Sequence, residues 1–290
     1  MRMQDATSYL LRKLRTFYPE GEARQMTDRV MESLTGAGKA ERMLYKNSVI
    51  TRNEELQLQK FTERLVKHEP VQYILQEAWF CGLKFYVDKN VLIPRPETEE
   101  LVEWVHTEIK NQKSKVKNEV HNISILDIGT GSGCIPIALK RKLPETEIWS
   151  CDISEDALKV ASRNAAGLDA DINFMQLDFL DEMKRKLLPS FDIIISNPPY
   201  VPERDKEQML PNVVKHEPPI ALFVPDNDAL IFYKAIAEFG KSHLNENGLI
   251  YAEIHESTGD DILQLFESKG YTMELKKDMQ GKERMLKAEF

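Results

Sequence analysis

Cysteine is scarce in this chain: three thiols, Cys81, Cys134 and Cys151, are spread over 290 residues. They are too few and too scattered for a disulfide framework or a metal knuckle. Their odd number fits a reducing compartment. Cys134 and Cys151 read as small core residues, one beside a glycine turn and one on a strand. The six histidines show no paired ligand spacing, which argues against a metal centre. No apolar run approaches membrane-spanning length, and repeats and low-complexity tracts are missing. Asp5, Arg12 and Lys13 interrupt the first turns, so no secretory segment is expected there. What remains reads as a cytoplasmic chain long enough for one α/β domain and a smaller companion.

Charge divides unevenly. Residues 1–70 carry 13 Lys and Arg against 10 Asp and Glu, a net of +3, and the rest carry 26 against 37, a net of −11. An acidic larger portion repels phosphate backbones and argues against a dedicated nucleic-acid enzyme. The mildly basic front end could meet an acidic partner surface, but it reads first as the solvated face of helices.

Phe191-Asp-Ile-Ile-Ile-Ser-Asn197-Pro198-Pro199-Tyr200 is the most telling segment. Ile193 to Ile195 predict a strand covered on both faces. Pro198 holds Asn197 extended, so its amide projects from the strand's carboxyl end, where open α/β sheets bind ligands. A fixed Asn oxygen and exposed carbonyls can accept hydrogens from a planar –NH2 group, and Tyr200 can lie against its flat face. Alone, the tetrapeptide could equally be a strand-ending turn.

A second motif separates these readings. Ile123-Ser-Ile-Leu-Asp127-Ile-Gly129-Thr130-Gly131-Ser132-Gly133 predicts a strand and a glycine turn, with a helix from about Ile135. The third glycine of a dinucleotide fingerprint is missing, and no Lys-Ser/Thr pair follows for a phosphate loop. The next strand, Glu147–Asp152, ends in an acid suited to ribose hydroxyls. A third, from Ile172, ends in Asp178 and Phe179, suited to an adenine edge and face. Each acid could instead cap a helix, Asp152 before Ser154 above all. In series, at three successive strand ends, they point to adenosine without a pyrophosphate, hence S-adenosylmethionine. Asp127 near the turn suits that ligand's ammonium and sulfonium groups.

The ordered set Asp127-x-Gly129-x-Gly131-x-Gly133, Asp152, Asp178 and Asn197-Pro-Pro-Tyr200 resembles S-adenosylmethionine-dependent methyltransferases acting on –NH2 groups. Three further segments narrow it: Val91-Leu-Ile-Pro-Arg95-Pro-Glu97-Thr-Glu99, Glu69-Pro-Val-Gln-Tyr73-Ile, and Lys277-Asp278-x-x-Gly281-x-Glu283-Arg284. With these, the chain from about residue 69 onward resembles the release-factor glutamine methyltransferase family. That family methylates the glutamine side-chain amide in the Gly-Gly-Gln tripeptide of class 1 peptide chain release factors. The resemblance implies a doubly wound seven-stranded α/β sheet, its last strand antiparallel, with a small N-terminal helical domain. It implies S-adenosylmethionine as cofactor, S-adenosylhomocysteine as product and a release factor as protein partner, with no stable nucleic-acid binding and no membrane. On this reading Asp127, Gly129, Thr130, Gly131, Ser132, Gly133, Asp152, Asp178, Phe179 and Asn197 hold the cofactor. Asn197, Pro198, Pro199 and Tyr200 hold the substrate, with Asn197, Pro198 and Tyr200 as the catalytic set. Departures fall beside these motifs: Gln76 and His255 stand where glycine is common, and Phe223–Asp228 lacks expected glycines.

Two other acceptors use the same device: a glutamine in a ribosomal protein, or an adenine amino group, whose base would have to leave the duplex. A non-catalytic cofactor-binding regulator is the remaining alternative, and the intact Asn197 constellation argues against it. Arg95, Glu97 and Glu99 either line the cofactor pocket or merely turn the chain into a helix near Thr98. Glu253, at a strand end, is a weaker site candidate.

The organisation expected is a helical domain over 1–75, a hairpin linker over 76–90 and the methyltransferase domain over 91–290. Leu10/Leu11/Leu14/Phe17, Met26/Val30/Met31/Leu34 and Leu58/Phe61/Leu65 predict helices, with Asn53 as a cap. Ala78–Val87 alternates around Gly82 as a hairpin. Lys110 to Asn122 reads as a loop. Helices near Asp228–Leu244 and Asp260–Lys269, and strands near Gly248–Ile254, Tyr271–Leu275 and Met285–Phe290, complete the pattern.

Overall fold

The computed structural model describes residues 1–115, 123–209 and 211–290. In chain order the helices are α1 (Met3–Leu14), α2 (Glu20–Thr35), α3 (Lys39–Leu44), α4 (Arg52–Leu65), α5 (Val71–Leu75), α6 (Pro96–Lys115), α7 (Cys134–Lys142), α8 (Glu155–Gly167), α9 (Glu182–Arg185), α10 (Pro211–His216), α11 (Ile231–His243) and α12 (Gly259–Ser268). The strands are β1 (Ala78–Phe80), β2 (Leu83–Phe85), β3 (Ser124–Ile128), β4 (Glu147–Asp152), β5 (Asn173–Gln176), β6 (Phe191–Ser196), β7 (Val201–Pro202), β8 (Phe223–Val224), β9 (Leu244–Glu253), β10 (Thr272–Lys277) and β11 (Glu283–Glu289). Among the described residues no helix is long and apolar enough to cross a membrane.

Two compact units result. The first comprises Met1–Glu77 and α10; the second comprises Ala78–Met209 and Glu217–Phe290.

In the first unit, Leu10 and Leu14 of α1, Val30 and Met31 of α2, and Leu58 and Leu65 of α4 are buried in one cluster. The helical stripes of the sequence are therefore its core. Phe17 lies past the end of α1, 48% exposed, with its ring edge-on to His68. The cap of α4 is Thr51, not Asn53. Thr51 Oγ1 accepts from Glu54 N, and Glu54 Oε2 accepts from Thr51 N at 2.6 Å. That reciprocal pair satisfies two amides at once, and Asn53, two residues on, has no such partner glutamate. Gln76 ends α5 in the left-handed region, φ 56°, a conformation that favours glycine.

Ala78–Phe85 forms the hairpin, with Cys81 (φ 48°) and Gly82 (φ 74°) at its tip. Positive φ at both turn residues matches the right-handed strand twist. Phe80 and Phe85 meet edge to face and are wholly buried in the core that contains Leu101, Ile125 and Ile193. The hairpin thus packs as part of the second unit.

The seven-stranded sheet has the order β10-β11-β9-β6-β3-β4-β5. β3, β4, β5, β6 and β9 run parallel, and β11 is antiparallel to both β9 and β10. Both faces are covered. Ile125, Ile193, Ile195 and Tyr251 point to one core, and Leu126, Ile128, Ile194 and Ile250 to the other. That alternation along unbroken apolar strands is what burial on two faces requires. The chain runs outward through β3, β4 and β5, then returns to β6 on the other side of β3. This reversal creates a crevice at the carboxyl ends of β3 and β6.

The loop expected over Lys110–Asn122 is corrected in its first half: α6 continues to Lys115. Lys and Gln are good helix formers, so a polar stretch extends a helix already nucleated by buried Leu101, Val105 and Ile109. The rest of that expectation, residues 116–122, lies outside the described residues. Pro96 sits at the first position of α6, where its missing N–H has no helical partner to lose.

Candidate active site

The turn after β3 sits in the crevice. Gly129, Gly131 and Gly133 have φ of 79°, 52° and 80°, values open to glycine without a Cβ penalty. Gly129 N and Thr130 N donate to the Cys151 carbonyl at 2.9 and 3.1 Å, tying the turn to β4. A Cβ on Gly129 or Gly131 would meet nothing within 4 Å, whereas one on Gly133 would lie 2.9 Å from Ile137 Cδ1. The first two glycines form an open cradle; the third lets α7 pack against α8.

A cavity of about 230 Å³ opens over these strand ends, with Gly129, Gly131, Asp152, Asp178, Phe179, Asn197, Pro198 and Pro199 on its wall. Asn90, Val91 and Leu92 close one side, and Pro218, Ile220 and Ala221 another. Asp127, Thr130, Ser132, Gly133 and Tyr200 are not on that wall.

Asp152 has two tasks. Its Oδ2 accepts from Gly131 N and its Oδ1 from Ser154 N, both at 2.9 Å. The helix cap itself is Ser154, whose Oγ accepts from Ala157 N. Burial raises the Asp152 carboxyl pKa, and the Ser154 and Gly131 amides pull it back. Asp178 Oδ1 accepts from Leu180 N at 3.0 Å. Phe179 packs edge-on against Phe239.

Asp127 is wholly buried, with Oδ2 accepting from Ser150 Oγ at 2.6 Å. The parallel register sets Asp127 beside Ser150. Burial pushes its carboxyl up to about 7, against the pull of the Ser150 hydroxyl. An unfolded aspartate titrates near 3.8. Between those values the folded protein holds a proton that the unfolded chain has released, so this residue makes stability fall as pH rises through the window. The cost above pH 7 is at most roughly 4 kcal/mol at 1.36 kcal/mol per unit. Asp127→Asn should therefore gain on the wild type in urea midpoint between pH 5 and pH 8. A constant difference between the two proteins at both pH values would rule out a protonated Asp127.

The third element of the site was only half visible in the sequence. β6 and β9 are adjacent, with Ser196 paired to Ala252, so Asn197 and Glu253 leave the sheet side by side. The first turn of α6 adds Thr98. Asn197 Nδ2 donates to Thr98 Oγ1 at 3.0 Å, and Thr98 Oγ1 donates to Glu253 Oε2 at 2.6 Å. Tyr200 OH donates to Glu253 Oε1 at 3.1 Å. Glu253 is 2% exposed; burial raises its pKa, while the Thr98 and Tyr200 hydroxyls lower it. Thr98 went unnoticed because a threonine in a helix's first turn is ordinary; its only signal was a place within Val91–Glu99.

Neither Arg95, Glu97 nor Glu99 lies on the cavity wall. Arg95 Nη2 donates to Glu217 Oε1, and Glu217 Oε2 accepts from Ile93 N at 3.2 Å. This clamp joins the two chain segments flanking the cavity. Glu217 is 3% exposed, so Arg95→Met would strand a buried carboxylate, costing about 1–3 kcal/mol. An unshifted urea midpoint in that variant would exclude the clamp.

Comparison with known proteins bears on the family. A Methyltransferase small domain family model matches residues 113–220, and a PrmC N-terminal domain model matches residues 5–75. The Release factor glutamine methyltransferase of Flavobacterium psychrophilum is 38% identical over 291 residues, covering 100% of both chains. That of Bacteroides thetaiotaomicron is 39% identical over 289 residues, 99% of each chain. Among solved structures, the hMettl16 catalytic domain in complex with MAT2A 3'UTR hairpin 6 aligns with a TM-score of 0.55. It is 16% identical over 83% of this chain and 82% of that one, a likeness of fold alone. With relatives this similar along their whole length, the chain belongs to the release factor glutamine methyltransferase family.

Proposed function

We propose that this methyltransferase transfers the methyl group of S-adenosylmethionine to a glutamine side-chain nitrogen, leaving S-adenosylhomocysteine. The glutamine is that of the Gly-Gly-Gln tripeptide in class 1 peptide chain release factors. The observation that carries this reading is the state of Asn197. Its Nδ2 is engaged by Thr98, while its Oδ1 has no hydrogen-bond partner among the described residues. An acceptor oxygen on a cavity wall, next to the Pro198 carbonyl, suits a group with two N–H hydrogens and no charge.

The residues present fit the cofactor. Gly129 and Gly131 leave a cradle that a Cβ would narrow. Asp152 offers a carboxylate for ribose hydroxyls, and Asp178 with Phe179 offers an acceptor and a ring for adenine. Asp127 is wholly buried, and its Oδ1 has no hydrogen-bond partner among the described residues. When bound, S-adenosylmethionine supplies an electrophilic methyl group on a sulfonium.

The protein's contribution follows from the weakness of its nucleophile. An amide nitrogen shares its lone pair with its carbonyl, so orientation matters more than basicity. Asn197 Oδ1 and the Pro198 carbonyl accept the two amide hydrogens and fix the nitrogen. Orientation of this kind lowers a barrier by about 7–11 kcal/mol at best. Tyr200 stiffens the corner from behind through Glu253. No strong base is needed, because the methylated amide sheds its extra proton readily. With the cofactor bound, the apolar side chains of Val91 and Leu92 on the cavity wall would limit the access of water. The helical unit grips the release factor away from the reacting glutamine. The net charge of −11 beyond residue 70 disfavours a nucleic-acid acceptor.

The test is a transfer assay with labelled cofactor and unmethylated recombinant release factor, mapped by peptide mass spectrometry. Label on the Gly-Gly-Gln glutamine is expected. An unlabelled glutamine, with cofactor binding demonstrated, would overturn the reading in favour of a ribosomal protein.

A further inference from the structure

We propose that Thr98 and Glu253 are positioning residues that decide which atom of the Asn197 side-chain amide faces the cavity. The inference rests on the acceptor assigned above, because it concerns how that acceptor is read.

A side-chain amide is nearly symmetrical in shape, so sterics alone do not choose between its two orientations. Chemistry does. With Oδ1 turned to the cavity, Asn197 accepts a hydrogen from an incoming –NH2 group. With Nδ2 turned there, donor meets donor and the group is repelled. The choice is made on the far side, by the polarity of the Thr98 hydroxyl. That hydroxyl has one hydrogen, and Glu253 Oε2, 2.6 Å away, takes it. Only lone pairs remain for Asn197, so only Nδ2 can face Thr98, as it does at 3.0 Å.

Glu253 can impose that polarity because its carboxylate is used only as an acceptor. Oε2 takes the Thr98 hydrogen and Oε1 the Tyr200 hydrogen. Its main chain is anchored too, the carbonyl accepting from Tyr233 OH at 2.8 Å. All these donations run toward Glu253, from Tyr200 on one side and from Asn197 through Thr98 on the other. Three separate elements meet here: the start of α6, the end of β6 and the end of β9. A cap or a stray surface pair would not need a buried carboxylate beside the reacting amide.

The experiment uses the full-length enzyme, labelled S-adenosylmethionine and unmethylated release factor. Thr98→Val keeps the side chain's shape and removes the hydroxyl. It should lower kcat by about 10- to 100-fold, the range expected when one buried hydrogen bond no longer sets an orientation. The Kd for S-adenosylhomocysteine should stay near wild type, while the thermal midpoint should fall modestly, because buried Glu253 Oε2 loses its donor. Thr98→Ser, which restores the hydroxyl, should recover most of the loss. Glu253→Gln should also lower kcat, because its Nε2 can donate to Thr98 and release the wrong polarity toward Asn197.

Thr98→Val turning over like wild type would overturn the relay. Thr98→Ser as slow as Thr98→Val would do the same, since packing of the methyl would then matter instead of the hydroxyl. If Thr98→Val does not fold, Glu253→Gln decides: a wild-type kcat in that variant sinks the proposal. A wild-type enzyme that leaves the glutamine unlabelled refutes the acceptor assignment, and the relay with it. A fast wild type with equally fast variants refutes the relay alone.

Discussion

Asn197→Ala is expected to lower kcat by on the order of 10³-fold while S-adenosylhomocysteine still binds. The side chain lies on the cavity wall, and its Oδ1 is the polar atom that Thr98 leaves unused. Removing it frees one amide hydrogen of the substrate and lets the nitrogen rotate away from its productive orientation. The Pro198 carbonyl still holds the other hydrogen, so some transfer should persist. Gly129, Gly131, Asp152 and Asp178 are untouched, which is why cofactor binding should survive. Single-turnover rates with saturating release factor, set beside calorimetric affinity for the product cofactor, separate the two effects. Transfer at the wild-type rate would remove Asn197 from the chemistry. Loss of cofactor binding in step with loss of transfer would make it a cofactor residue only.

The second large effect distinguishes two glycines two positions apart. Gly133→Ala should cost about 3 kcal/mol of folding stability. Part is the left-handed backbone, about 1–2 kcal/mol for a residue with a Cβ. The rest is overpacking, since that Cβ would sit 2.9 Å from Ile137 Cδ1 and 3.1 Å from Ala161 Cβ. Gly131→Ala has the same backbone problem at φ 52° but meets no protein atom within 4 Å. It should lose only about 1–2 kcal/mol of stability. Its methyl group would enter the cradle, so S-adenosylhomocysteine affinity should fall by about tenfold or more. Urea denaturation and calorimetry on both variants give the comparison. If Gly131→Ala binds the product cofactor as wild type does, the cradle belongs to something else.

How much of this was readable beforehand depends on the range over which each feature is encoded. The strands β3, β4, β6 and β9 came from runs of apolar residues whose burial on both faces is a local pattern. The glycine turn and the Asn-Pro-Pro-Tyr corner were legible because the residue types themselves restrict the backbone. Errors arose where context overrides local preference. Asn53 and Thr51 are both good caps, and only the reciprocal bond with Glu54 chooses Thr51. Lys110–Lys115 is polar throughout, yet it continues a helix whose earlier turns are buried in the core.

The sequence by itself determined the fold class and the family, because both rest on short motifs that are each legible within a few residues. Only the tertiary structure decided the rest. It set Asp127 in the interior against Ser150, where the sequence pattern alone suggests a ligand contact. It turned Arg95 away from the cavity and onto Glu217, 122 residues later. It brought Thr98 and Glu253, 155 residues apart, to within 2.6 Å of one another beside Asn197. Strand order and register make such meetings, and no pattern within a short window of residues records which strands will be neighbours.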